Sequence, residues 1–295
     1  MRTDRFHHFL AIDWSGAVGE RHRGIALGLC IEGHTAPRSI VLDRPWSRED
    51  VLAYLLNDLP AHTLVGMDLG ISLPFADAGA FFPGWNDSPD DAPSLWALVD
   101  EICTRDPHLS ASSFVDHAIA SRYFRRHGGR EGDRFQLPDA PDRRGRLRIA
   151  EQAQAEMGCK PTSNFNLVGA AQVGKSSLTG MRMLHRLRGH IPVWPIDPLP
   201  DRGPVIVEIY TALAAIAGGR IAARAKMTDY AALNDALAGI GSQGVTDRGP
   251  VDDHTADALV TAAWLRANAH RAELWRPRKM TPEVARTEGW TFGAI

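Results

Sequence analysis

Three short apolar runs in this chain each end on an acidic residue, and that recurrence constrains the fold more than any other feature of the sequence. Phe9-Leu10-Ala11-Ile12 stops at Asp13, Thr63-Leu64-Val65-Gly66-Met67 stops at Asp68, and Val205-Ile206-Val207 leads into Glu208. Runs of this length and apolarity read as buried strands. If they are neighbours in one sheet, their acids fall close together at one end of it. A fourth acid, Asp257, lies in an alanine- and leucine-rich helical stretch one turn after Asp253, so those two share a helix face.

The segments between these runs fill in the order. Residues 23–31 and 39–42 read as two more strands around a Gly33-His34 turn, giving an antiparallel meander of three. Ser47-Arg48-Glu49-Asp50 has capping-box spacing, and Val51, Leu52, Leu55, Leu56 and Leu59 follow with helical periodicity. From about Pro74 to Pro204 the character changes: prolines, tryptophans, glycines and arginines mix with helical stretches, and strand-like runs nearly vanish. A chain of 295 residues exceeds the usual single domain. The return of the strand pattern at Val205 favours one core with an insertion over two small domains. The expectation is an α/β core over 1–74 and 204–272, a mainly helical insertion over 75–203, and a polar tail over 273–295 that drapes over the surface.

Carboxylates crowded together repel one another and resist ionisation unless a cation sits between them. Hard oxygen ligands of this kind suit Mg²⁺ or Mn²⁺ rather than zinc or copper. Two such ions activate a water and stabilise the leaving oxygen of a phosphodiester, the outline of a nuclease. Each residue also has a plainer reading. A strand-terminal Asp13 or Asp68 can begin a turn, Asp252 and Asp253 suit helix caps, and His254 in a first turn can orient water, touch phosphate, bind metal or simply be solvated. Glu208 is harder to dismiss, because an unpaired carboxylate among Val205, Ile206, Val207 and Ile209 is expensive.

The segments Ala11-Ile12-Asp13-Trp14-Ser15-Gly16-Ala17, Val65-Gly66-Met67-Asp68, Val207-Glu208-Ile209-Tyr210 and His254-Thr255-Ala256-Asp257-Ala258-Leu259 resemble, in order, the motifs of the domain of unknown function 429 family, predicted nucleases with a ribonuclease H fold. The last segment is also similar to the acidic helix of Holliday-junction resolvases. The resemblance implies a ribonuclease H-like mixed sheet flanked by helices. It implies Asp13 as central metal ligand, Asp68 and Asp257 completing the site, and His254 assisting; Glu208 falls in a matching motif, and the expectation from its apolar setting is that it ligates metal or acts as a base. In the family a proline often follows the second aspartate closely; here Leu69-Gly70-Ile71-Ser72-Leu73 intervene.

Other signals compete. Gly169-Ala170-Ala171-Gln172-Val173-Gly174-Lys175-Ser176 satisfies the phosphate-loop pattern, but the preceding Asn164-Phe165-Asn166-Leu167-Val168 makes a poor strand. Asp68-Leu69-Gly70 is the kind of phosphate turn used by sugar kinases and actin-like ATPases, yet Asp13 and Asp68 lie too close in sequence to begin two lobes. The stretch from Arg122 to Arg148 carries nine arginines around Tyr123 and Phe124. It offers either a grip on nucleic-acid phosphates or a solvated face whose ion pairs involve Glu131, Asp133, Asp139 and Asp142. The tryptophans read as core rather than base-stacking platforms.

A formal charge of −2 and pI near 6.6 give no global pull toward polyanions, so such a partner must be held locally. Cys30, Cys103 and Cys159 form no C-x-x-C pair, which argues against a disulfide framework or thiolate zinc site and fits a reducing cytosol. No signal peptide or membrane-length apolar run is legible. The sequence thus favours a metal-dependent phosphodiesterase. The rival readings are a noncatalytic nucleic-acid- or protein-binding module of the same fold, or an ATPase using Gly169–Ser176.

Overall fold

The computed structural model describes residues 5–128, 130–136, 145–168, 173–220 and 226–295. Its centre is a mixed six-stranded sheet in the order β3-β2-β1-β4-β6-β5. The strands are β1 (His8–Asp13), β2 (Ala26–Ile31), β3 (Arg38–Ile40), β4 (Thr63–Asp68), β5 (Val193–Trp194) and β6 (Val205–Glu208). The first three form the expected antiparallel meander, while β4 runs parallel to β1, and β6 parallel to both β4 and β5. β3 stops at Ile40 because Val41 and Leu42 turn out to solvent.

Helices cover both faces. They are α1 (Arg48–Asn57), α2 (Ala92–Ile102), α3 (Ser112–Asp116), α4 (Ile149–Glu156), α5 (Val173–Leu187), α6 (Thr211–Ala217), α7 (Tyr230–Gly239), α8 (Asp253–Asn268) and α9 (Pro282–Thr287). The Ser47 capping box that opens α1 forms as its spacing implies: the Asp50 amide donates to Ser47 Oγ at 3.0 Å, and the Ser47 amide to Asp50 Oδ2 at 2.9 Å.

Two apolar layers result from strand alternation. Leu10 and Ile12 of β1, Val65 and Met67 of β4 and Ile206 of β6 face a layer built with α1, α2 and α5. Phe9, Ala11, Leu64, Val205 and Val207 face the other way, toward α6, α7 and α8. Residues 75–203, expected as a helical insertion outside the core, instead belong to it: α2 and α5 supply much of one of the two layers that bury the sheet, and β5 is an edge strand of that sheet. α8 lies very close across β2, since a Cβ on Gly28 would stand 2.5 Å from the Ala258 carbonyl oxygen. Gly28 pairs with Ala11 in register, so two small residues make the bed on which α8 rests. Trp85, Trp96, Trp194, Trp264, Trp275 and Trp290 are all buried, as core residues.

The C-terminal segment corrects its sequence reading. It is not a surface drape: Trp290, Phe292 and Ala294 are buried, and the Phe292 amide donates to the Glu208 carbonyl at 2.8 Å. Thr291 bridges to Glu208 in parallel, so the chain end adds to the sheet beyond β6. Its polar composition misleads because one of its charges, Glu288, serves inside while the others stay exposed. Glu288 is fully buried and accepts from the amides of Phe75 (2.7 Å), Ala76 (2.8 Å) and Ile149 (2.7 Å). Among the described residues no helix is long and apolar enough to cross a membrane.

Candidate functional site

Asp13 and Asp68 are partners in the parallel register of β1 and β4, at the ends of the two central strands. Alternation places Asp13 with Phe9 and Ala11, and Asp68 with Leu64 and Gly66, on the face covered by α8. α8 then delivers His254 and Asp257 to the same place. His254 Nδ1 lies 2.9 Å from Asp13 Oδ2, while about half of the imidazole remains open to solvent (48%). Thr211, opening α6, donates to Asp68 Oδ2 at 3.3 Å. Asp252 is a cap, accepting from the Thr255 amide at 2.9 Å, and Asp253 pairs with Lys226. Asp252 therefore caps as its position implies; Asp253 does not, being the first residue of α8 and held by Lys226 instead, and among the described residues Asp257 has neither a cap bond nor an ion pair.

The electrostatics follow from this crowding. Burial, followed by the charges of Asp13 and Asp257, pushes the Asp68 carboxyl well above the usual range. Burial raises Asp13 as well, against the opposing hydrogen bond from His254. Asp257 is pushed up to about 7, by burial first and then by Asp13 and Asp253. His254 is raised in its turn, chiefly by its hydrogen bond to Asp13.

No family model matches this chain, and neither a curated protein nor a solved structure does. Among the described residues, no three His, Cys, Asp or Glu side chains are already gathered as a metal-holding group. What the donors offer is chemical fit: three hard carboxylates on three elements, each held from ionising by burial and by a neighbouring acid, which a divalent cation would relieve. Beside them opens a cleft of about 420 Å³. Asp68 and His254 line one part of its wall, and Arg148, Lys160 and Ser176 line others.

Glu208 does not join the aspartates in the way the sequence suggests. It pairs in register with Met67, and alternation turns it to the face opposite Val205 and Val207. There Arg148 takes both its oxygens, at 2.6 Å to Oε1 and 2.8 Å to Oε2. The Ile71 amide adds a bond to Oε2 at 2.8 Å, and the Thr291 hydroxyl another to Oε1. The carboxylate is thus satisfied without a metal. Arg148 is the residue that sequence reasoning missed, grouped as it was with its arginine-rich neighbours; the one local signal is Glu151 three residues on, which pairs with it at 2.5 Å.

Most of the other described arginines of the 122–148 stretch are engaged within the chain. Arg122 pairs with Asp133, Arg126 with Asp116, Arg125 more loosely with Glu131 at 4.0 Å, and Arg146 lies buried on Asp77. Arg143, Arg144, Asp139 and Asp142 lie outside the described residues, as do residues 169–172 of the phosphate-loop pattern. Residues 164–168 before that pattern form no strand, so the buried strand that a phosphate loop requires does not precede it.

The raised carboxyls set a pH dependence. In the unfolded chain they titrate near 4, so above that value the folded chain holds protons that the unfolded chain has released, and stability falls as pH rises through the folded values. His254, being raised, works in the same direction: its contribution is present below its ordinary value and is lost above its raised one. His22, held down to about 4 by burial, has the opposite sign, but only below about 6.5. Between pH 6.5 and 8, without divalent cations, the melting temperature should therefore drop by a few degrees, on the order of 1–3 kcal/mol. Millimolar Mn²⁺ should abolish the drop, because ligands must be deprotonated to bind it. Thermal scans across this range test both halves, and a flat or rising cation-free profile would contradict the electrostatic picture.

Proposed function

We propose that this chain is a metal-dependent phosphodiesterase, a nuclease of ribonuclease H-like fold related to the domain of unknown function 429 family that its motifs resemble. A three-stranded antiparallel meander followed by parallel β4 and β6 supports that fold assignment. The observation that carries the functional reading is the pairing of Asp13 with Asp68 in register, on the face to which α8 brings Asp257, with the Asp13 charge raising both Asp68 and Asp257.

Asp13, Asp68 and Asp257 would hold Mg²⁺ or Mn²⁺. When bound, such ions activate water and stabilise the leaving oxygen of a phosphodiester. His254 fixes the Asp13 carboxylate through Nδ1 and, being half open and lining the cleft, can give or take a proton at its rim. Glu208, already satisfied by Arg148, would not be a ligand; it borders the same cleft and adds its charge to those that raise Asp68.

Titrating wild-type protein with Mn²⁺ at pH 8, and assaying branched, single-stranded and hybrid nucleic acids with and without the ion, tests the reading. It is expected to give saturable Mn²⁺ binding and ion-dependent cleavage of at least one substrate class. Binding without cleavage of any of them would leave a noncatalytic module as the better account.

A further inference from the structure

The Gly16-Ala17 turn lines both the acidic cleft and a second pocket of about 180 Å³. This turn is held firmly. Arg48, fully buried in α1, donates from Nε to the Ser15 carbonyl at 3.0 Å and from a terminal nitrogen to that of Ala17. Gly16 also presses on the first turn of α5, where a Cβ would stand 2.4 Å from the Lys175 carbonyl carbon and from the Ser176 amide nitrogen. One helical turn thus faces two pockets, with Ser176 on the acidic cleft and Lys175 on the smaller pocket.

We propose that this second pocket is an anion site that takes a phosphoryl group, with Lys175, Arg126, Arg130 and His127 as its donors. Three permanent cations line it against a single carboxylate, Asp116. That carboxylate is 72% exposed and already engaged by Arg126 at 3.0 Å, so it does little to neutralise the rest. Arg126 keeps a buried Nε with no acceptor, a donor that a folded protein rarely leaves unmet. Among the described residues no carboxylate pairs with Lys175. Its ammonium meets the ring nitrogen Nε2 of His127 at 3.4 Å, too long for a good hydrogen bond and repulsive whenever the ring is protonated. An oxyanion bridging the two from the pocket side would accept from both.

The size of the pocket selects a small group, since sites for whole drug-sized ligands run roughly 300–1,000 Å³. Cations that converge from two separate segments suit the several oxygens of a phosphoryl group. This also gives the phosphate-loop lysine an occupation that needs neither the missing strand nor residues 169–172. The site does not depend on the cleavage reading. It does lie across a shared wall from the aspartates, where a neighbouring phosphate of a polyanionic substrate would be held.

The test is calorimetric titration with inorganic phosphate in EDTA, comparing wild type with Lys175→Gln, Arg130→Gln and Asp13→Asn. Wild-type binding should weaken at least tenfold in Lys175→Gln and several-fold in Arg130→Gln, with melting temperatures unchanged. It should persist in Asp13→Asn, which separates failure here from failure of the nuclease assignment. Competition by a 5′-phosphorylated dinucleotide but not by its unphosphorylated form would mark nucleic acid as the source of the group. Competition by neither would mark the free anion. No phosphate binding by wild type, or binding indifferent to both basic substitutions, overturns the proposal.

Discussion

Asp13→Asn should make the protein more stable and, on the nuclease reading, catalytically dead. Asn is nearly isosteric and retains an oxygen to face His254, so the packing of β1 under α8 is preserved. The substitution removes the charge that raises Asp257 most after burial, and Asp68 likewise. Relief of that repulsion should raise the cation-free stability at pH 8 by about 1–2 kcal/mol, a few degrees in melting temperature. The same change deletes the carboxylate proposed as the central ligand. Losing a mere outer partner of a metal site costs roughly 10–100-fold, so cleavage should fall further, by about 10³-fold or more, and Mn²⁺ should no longer stabilise the fold. Sites that spend stability on function show this opposition. A merely structural Asp13 predicts the reverse, with Asn destabilising through a weakened bond to His254. Parallel melting and activity measurements on one variant discriminate the two, and a destabilised variant that retains Mn²⁺-dependent cleavage would refute the assignment.

What the sequence could reveal here divides along the range of the forces involved. The strands at Asp13 and Asp68 were legible because a continuous apolar run and its acidic stop are local facts. Their adjacency then follows from parallel pairing, which the intervening helix α1 makes natural. Glu208 looked equivalent in sequence, yet a one-residue difference in phase sends it to the other face of the sheet, and phase depends on register. The Val205-Ile206-Val207 run gives no polar alternation from which to read it. The tail misleads for a related reason. Glu288 and Thr291 count as polar in any composition argument, but their partners are the Arg148 guanidinium, which donates to the Glu288 carbonyl, backbone amides and Glu208, all distant in the chain. Caps, by contrast, close over three residues, and those at Ser47 and Asp252 were readable in full.

Arg148→Met is expected to be the most destabilising single change in the core, costing about 3–5 kcal/mol. The guanidinium is 1% exposed and holds three parts of the chain at once: Glu151 beside it, Glu208 at the end of β6, and the Glu288 carbonyl at 2.9 Å. Methionine fills much of the volume but leaves two buried carboxylates without a counter-charge, and that uncompensated charge, more than the lost attraction, sets the cost. Lysine should not rescue it, since one ammonium cannot replace a planar fork that bonds two carboxylates and a carbonyl. Glu208→Gln should be milder, because Gln keeps an acceptor and leaves Glu151 to balance Arg148. The pair therefore decides the role of Glu208 as well. If Glu208 only anchors Arg148 and the tail, Glu208→Gln lowers the denaturation midpoint while Mn²⁺ affinity stays within a few-fold of wild type. If it is a ligand after all, Mn²⁺ affinity collapses in a protein that melts almost normally. Urea denaturation and Mn²⁺ titration of the two variants separate these outcomes, because the anchor and the ligand load the same carboxylate in different states of the molecule.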